Sequence, residues 1–137
     1  LKVRKNLKIL NNSSQYPTIF FYHHLKPKKI KLLKKFNIRH YKIPLDQNHE
    51  LDLKHVLLKI RQLGFSRVFL ESGLKLTTSF LKKNLIDDFK LFQSNQKLRI
   101  NGLGSFKPFY STYLKNKKKI IENVNLDGDR LVSYKMK

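Results

Sequence analysis

The stretch Val68-Phe69-Leu70-Glu71-Ser72-Gly73-Leu74-Lys75-Leu76-Thr77-Thr78-Ser79 holds the densest set of groups that could do chemistry. An apolar, β-prone run ends in a carboxylate, a Gly turn follows, and hydroxyls crowd the first turns of a following helix. In open α/β sheets ligands bind beyond the carboxyl ends of strands. A helix N-terminus adds unpaired N–H groups and the positive end of the dipole, which together suit phosphate. Gly73 lets backbone approach an anion closely, and Thr77, Thr78 and Ser79 can add donors. On spacing alone, a plain strand-to-helix turn capped by Ser72 reads at least as well, with Glu71 a surface acid facing a Lys.

Other reactive residues form no comparable group. The five His (His23, His24, His40, His49 and His55) have no Cys beside them and no metal spacing with a carboxylate, so no metal is expected. Asp127-Gly128-Asp129 lacks the further oxygen ligands of a calcium loop and reads as a turn. Lys115-Asn116-Lys117-Lys118-Lys119 reads as a solvated loop ahead of a nucleic-acid patch.

These groups sit in a chain of 137 residues, a length for one domain with a real core, and 40% of its residues are hydrophobic. The absence of Cys excludes disulfides and thiolate metal sites and fits a reducing compartment, the cytoplasm. Apolar runs of only a few residues leave no transmembrane span. The formal charge of +21 points towards anionic partners. Yet 24 of the 30 basic residues are Lys, there is no Ala, and residues with AT-rich codons abound, so genome composition inflates the charge. A basic nucleic-acid-binding α/β module is therefore the alternative reading and a nucleic acid the less favoured partner; no RNP-type aromatic motif or helix-turn-helix supports it.

The elements that must position the candidate turn follow from periodicity. Thr18 to Tyr22 reads as a buried strand, and Pro27 opens a helix carrying Ile30, Leu33 and Phe36, which Asn37 stops. Ile38 to Ile43 is a second strand. Asp52 caps a helix with Leu53, Val56, Leu57, Ile60 and Leu63 on one face, and Gly64 ends it. Arg67 to Leu70 is the best central-strand candidate, with a third helix from about Lys75 to Lys83 behind it and Asn84 as its stop. Asp87 to Gln93 turns β again. Gly102, Gly104 and Pro108 mark a loop, and Asp127-Gly128 folds Ile120–Leu126 back on Leu131–Lys135 as antiparallel strands. The expectation is one α/β domain over residues 1–137, with a mixed, mostly parallel sheet flanked by helices and antiparallel strands at the C-terminal edge.

Phe69-Leu70-Glu71-Ser72-Gly73-Leu74-Lys75-Leu76, then Ser79-Phe80-Leu81 and Leu85-Ile86-Asp87-Asp88, resembles the reductase domain of bacterial riboflavin biosynthesis proteins. The family pattern there is an apolar strand, Glu-Gly-Gly, a short helix ending in Ser-Phe-Leu, Leu-Val/Ile-Asp-Glu and a further strand. Leu1-Lys2-Val3-Arg4 is similar to the family's Leu-x-Val-Arg, which follows an Asp-Asp-Pro. The resemblance implies a dihydrofolate reductase-like fold. It also implies NADPH-dependent reduction of the ribosyl side chain of 5-amino-6-(5-phosphoribosylamino)uracil to ribityl. It puts Leu1, Arg4 and Glu71 at the substrate, Arg4 towards its phosphate, and Gly73, Leu74, Lys75, Leu76, Thr77, Thr78 and Ser79 at the cofactor pyrophosphate. The family's first Gly of the pair is Ser72 here, and the segments up to the Asp-Asp-Pro have no counterpart, so the domain reads as truncated at its N-terminus. The sequence leaves open whether the chain forms a homodimer and whether a deaminase domain precedes it.

Overall fold

Why the chain forms its first helices and strands is visible residue by residue. The computed structural model describes residues 7–96 and 112–137, and it divides into two compact units, residues 1–69 and 70–137. Leu1 and Arg4, and the loop expected at Gly102, Gly104 and Pro108, lie outside the described residues.

In the first unit the order is α1 (Lys8–Asn11), β1 (Ile19–Tyr22), α2 (Pro27–Lys35), β2 (Arg39–Lys42) and α3 (Leu53–Gln62). Pro27 stands in the first turn of α2, where its missing N–H leaves no orphan donor. Asn37 ends α2 at φ 51°, a left-handed conformation that Asn tolerates better than most residues. β1 and β2 pair in parallel, Ile19 opposite Arg39 through Tyr22 opposite Lys42. Strand alternation turns Phe20 and Tyr22 to a core of Leu10, Leu25, Leu33 and Ile38, which Ile30 and Phe36 of the α2 stripe complete. The opposite face carries Phe21 and Tyr41, ring centroids 6.2 Å apart, and the Nζ of Lys59 on α3 lies 4.7 Å over the Tyr41 ring. The pair of strands is thus covered by α1 and α2 on one side and reached by α3 on the other. Asp52 caps α3 by accepting from the N–H groups of Lys54 and His55, and Gly64 follows it at φ 92°.

The second unit holds α4 (Leu74–Lys82), β3 (Asp88–Gln93), β4 (Lys118–Ile121) and β5 (Arg130–Lys135). The strands form an antiparallel sheet in the order β3-β5-β4. One face sets Phe89 opposite Tyr134 and Leu91 opposite Val132, over a core of Leu81, Leu114 and Met136. On the other face Lys90 reaches Glu122 at 3.4 Å, Ser133 donates to the same carboxylate at 2.6 Å and Lys135 pairs with Asp88, while Phe92, opposite Leu131, is left exposed. Asp127 at φ 50° and Gly128 at φ 89° occupy the centre of a tight turn closed from Asp129 N–H to Leu126 C=O at 3.0 Å. Two successive positive φ values match the twist of the flanking strands.

The mixed α/β class holds, with its parallel pair first and its antiparallel strands last. Two expectations do not. Arg67–Leu70 is not a strand: residues 65–73 carry no regular structure, Val68 is 48% exposed and Phe69 85%. An apolar run becomes a strand only where neighbours complete its ladder, and among the described residues none pairs with it. The return strand also begins earlier, at Lys118, and ends at Ile121.

Candidate functional site

The candidate turn lies wholly within the second unit. Gly73 is the N-cap of α4 and no side chain caps the helix start. Ser72, the expected cap, instead shares a hydrogen bond between its Oγ and Thr77 Oγ1 at 2.9 Å. Thr77 Oγ1 also lies 3.3 Å from the Gly73 carbonyl, to which it donates, so Ser72, Gly73 and Thr77 close on one another across the first turn. Gly73 has φ −67°, a value any residue adopts, and a Cβ built there meets nothing within 4 Å. The space before the turn is open, and Ser72 in place of a second Gly is compatible with it.

The other residues expected here are arranged less tightly. Glu71 and Lys75 are exposed, Leu74 and Leu76 lie at the surface, and Thr78 is half-buried. Ser79 Oγ donates back to the Lys75 carbonyl at 3.2 Å, one turn earlier in the helix. The structure therefore brings together Ser72, Gly73 and Thr77, with Glu71 at their approach. The Ser72–Thr77 link escapes a sequence reading because it joins residues five apart across a cap; the signal was the pair of hydroxyls flanking Gly73.

Shallow depressions occur elsewhere. One of about 470 Å³ is lined by Phe92, Asn125, Leu126, Asp127 and Asp129 at the hairpin turn. Another of about 310 Å³ lies in the first unit among Lys34, Asn37, Ile38, Arg39, His40 and Tyr41. Among the described residues no group of three or more His, Asp or Glu could hold a metal ion, and no helix is long and apolar enough to cross a membrane. Lys117 donates to the Met136 carbonyl, and Lys118 and Lys119 begin β4, so the lysine run lies in a turn and an edge strand.

A parallel strand pair among helices and an antiparallel C-terminal sheet agree with a dihydrofolate reductase-like fold. The family model described as the RibD C-terminal domain matches residues 1–94, and the chain belongs to that family. A comparison with curated proteins finds no match. The family places the chain among reductase domains of riboflavin biosynthesis, which work with a nicotinamide cofactor. The residues present fit the anionic part of such a cofactor. The helix start has no side-chain cap, its dipole is equivalent to roughly +0.5 charge, and the space a Cβ would enter at Gly73 is free.

Proposed function

We propose that this domain reduces the ribosyl side chain of 5-amino-6-(5-phosphoribosylamino)uracil to ribityl, with NADPH as reductant. The observation that carries the reading is the start of α4: an open Gly73, no side-chain cap, and hydroxyls of Ser72 and Thr77 at hand. The family match over residues 1–94 supports it. Bound NADPH would supply a hydride to C1 of the ring-opened imine form of the ribosylamine, the C=N π pair passing to nitrogen, which takes a proton from solvent. The N–H groups of the first α4 turn hold the pyrophosphate, the Thr77 hydroxyl turns outward to donate to it, and residues 73–79 as a whole fix its position. Glu71 binds the substrate at the mouth of the turn, and the resemblance alone assigns Leu1 and Arg4, which lie outside the described residues, to the substrate, Arg4 to its phosphate. The surplus of positive charge draws both anionic ligands inward. The setting is cytoplasmic, in keeping with a chain free of Cys.

Titration of NADPH and NADH, followed by cofactor fluorescence, tests the assignment. Saturable binding with a preference for NADPH is expected. Gly73→Val places a branched side chain where the phosphate approaches, and binding should weaken at least tenfold, about 1.4 kcal/mol. Because φ at Gly73 suits any residue and its Cβ meets nothing, the fold should tolerate the change, which circular dichroism checks. Glu71→Gln should leave cofactor binding nearly intact and depress turnover of the aminouracil. Equal NADPH affinity in folded Gly73→Val would remove residues 73–79 from the cofactor site.

A further inference from the structure

The net charge is not spread evenly, because the acids are missing from one stretch, and that stretch marks a second surface. Residues 7–45 contain nine Lys and Arg and no Asp or Glu, whereas residues 70–137 contain 14 basic residues and six acidic ones. A codon bias that inflates lysine everywhere does not clear the acids from one stretch. In the second unit Lys90, Lys135 and Lys137 each pair with a carboxylate. Among the described residues no carboxylate pairs with Lys28, Lys31, Lys34, Lys35 or Arg39.

These side chains are exposed and adjoin one another. Lys28, Lys31 and Lys35 follow at helical spacing along α2, which is roughly 13 Å long. Lys34, at the end of the helix, and Arg39 both line the open depression of about 310 Å³, with Asn37, His40 and Tyr41. Lysines in a last helical turn complement the dipole, which accounts for Lys34 and Lys35 but not for Lys28, Lys31 or Arg39. The apolar side of α2 is committed, since Leu33 is fully buried and Ile30 packs on the same cluster. A basic helix that has no apolar face to insert is a poor membrane anchor.

We propose that this face of α2, with the depression at its end, binds the phosphodiester backbone of a nucleic acid. Lys34 and Arg39 grip one phosphate in the depression while Lys28, Lys31 and Lys35 follow the strand along the helix. Tyr41 is engaged by Phe21 and the Lys59 ammonium, and His40 lies beside Tyr22, so the exposed groups this face offers a ligand are cations rather than rings. Binding is therefore through phosphates, indifferent to sequence and steep in salt.

The test is fluorescence anisotropy of the full chain with a labelled single-stranded RNA and a duplex DNA over a series of salt concentrations. Binding at roughly 10⁻⁴–10⁻⁶ M near physiological salt is expected, with log affinity falling linearly in log salt. Lys34→Glu with Arg39→Glu should weaken it roughly tenfold at low salt and flatten the salt slope by about 0.7 per lost contact for RNA and 0.9 for the duplex. The preferred strand form is read from the two arms. Lys118→Glu with Lys119→Glu, an equal change of charge on β4, should cost less than about threefold. Equal losses in the two double variants would show that diffuse charge does the binding and overturn the proposal. So would binding to anionic vesicles that depends on Lys34 and Arg39 while neither nucleic acid binds, or no binding at all.

Discussion

The carboxylate of Asp52 accepts from the backbone N–H of Lys54 at 2.9 Å and of His55 at 3.2 Å, and its second oxygen takes the His55 ring Nδ1–H at 2.8 Å. The His55 ring bond, the largest effect, together with the two backbone N–H groups holds the carboxyl below its ordinary value of 3.8 against the opposing effect of burial. A carboxyl whose pKa is lower folded than unfolded stabilises the fold fully above the unfolded value, and that contribution fades as pH falls through the folded value. Asp52→Ala should therefore cost about 0.5–2 kcal/mol in urea unfolding at neutral pH. The difference from the parent chain should shrink as the solution is taken into strong acid. A difference that stays constant with pH would mean that the cap does not act through its charge.

At the scale of elements, the segment between α3 and α4 decides most. Phe69 is 85% exposed, so Phe69→Ala should change stability by less than about 0.5 kcal/mol, where a core strand would lose about 3–5. Leu33→Ala in α2, whose side chain is fully buried, should lose about 2–5 kcal/mol in the same measurement. Gly128→Ala should cost roughly 1–2 kcal/mol, since φ 89° lies where a Cβ is strained; loss below that range would argue that the hairpin turn rearranges freely. What the sequence made legible was whatever is decided locally. Pro27, Asn37, Asp52, Gly64, Asn84 and the Asp127-Gly128 turn all act within a residue or two of themselves, and each stands where expected. The run 67–70 has the composition of a strand, but strand formation depends on a partner that the run itself does not encode. The bounds of β4 are not legible in the sequence, because an edge strand exposed along its whole length shows no alternation of burial. α1, with four residues, is too short for a helical period to appear. At the candidate site the turn, its glycine and its hydroxyls were legible, whereas the Ser72–Thr77 bond needed the backbone path.

Over the whole molecule, 30 cationic side chains face nine anionic ones, and the described ion pairs are mostly at the surface. Surface pairs contribute about 0–1 kcal/mol each, so repulsion among the unmatched lysines is the larger electrostatic effect on the folded state. Screening shortens that repulsion to about 10 Å at 0.1 M salt, and it weakens the exposed pairs as well. The two effects have opposite signs in a melting experiment. With a surplus of +21 the loss of repulsion should win, and Tm should rise by a few degrees as sodium chloride goes from about 0.01 to 0.3 M. Lys28→Glu with Lys31→Glu removes two positive charges from the acid-free segment, neither of them in the last turn of α2, and adds two negative ones. That variant should melt higher than the parent chain at low salt, and the gap should close as salt is added. A Tm that falls with salt in the parent chain would mean that the ion pairs around β3 and β5 outweigh the repulsion. An unchanged Tm at low salt in the variant would show that the lysines of α2 stand too far apart to strain the fold.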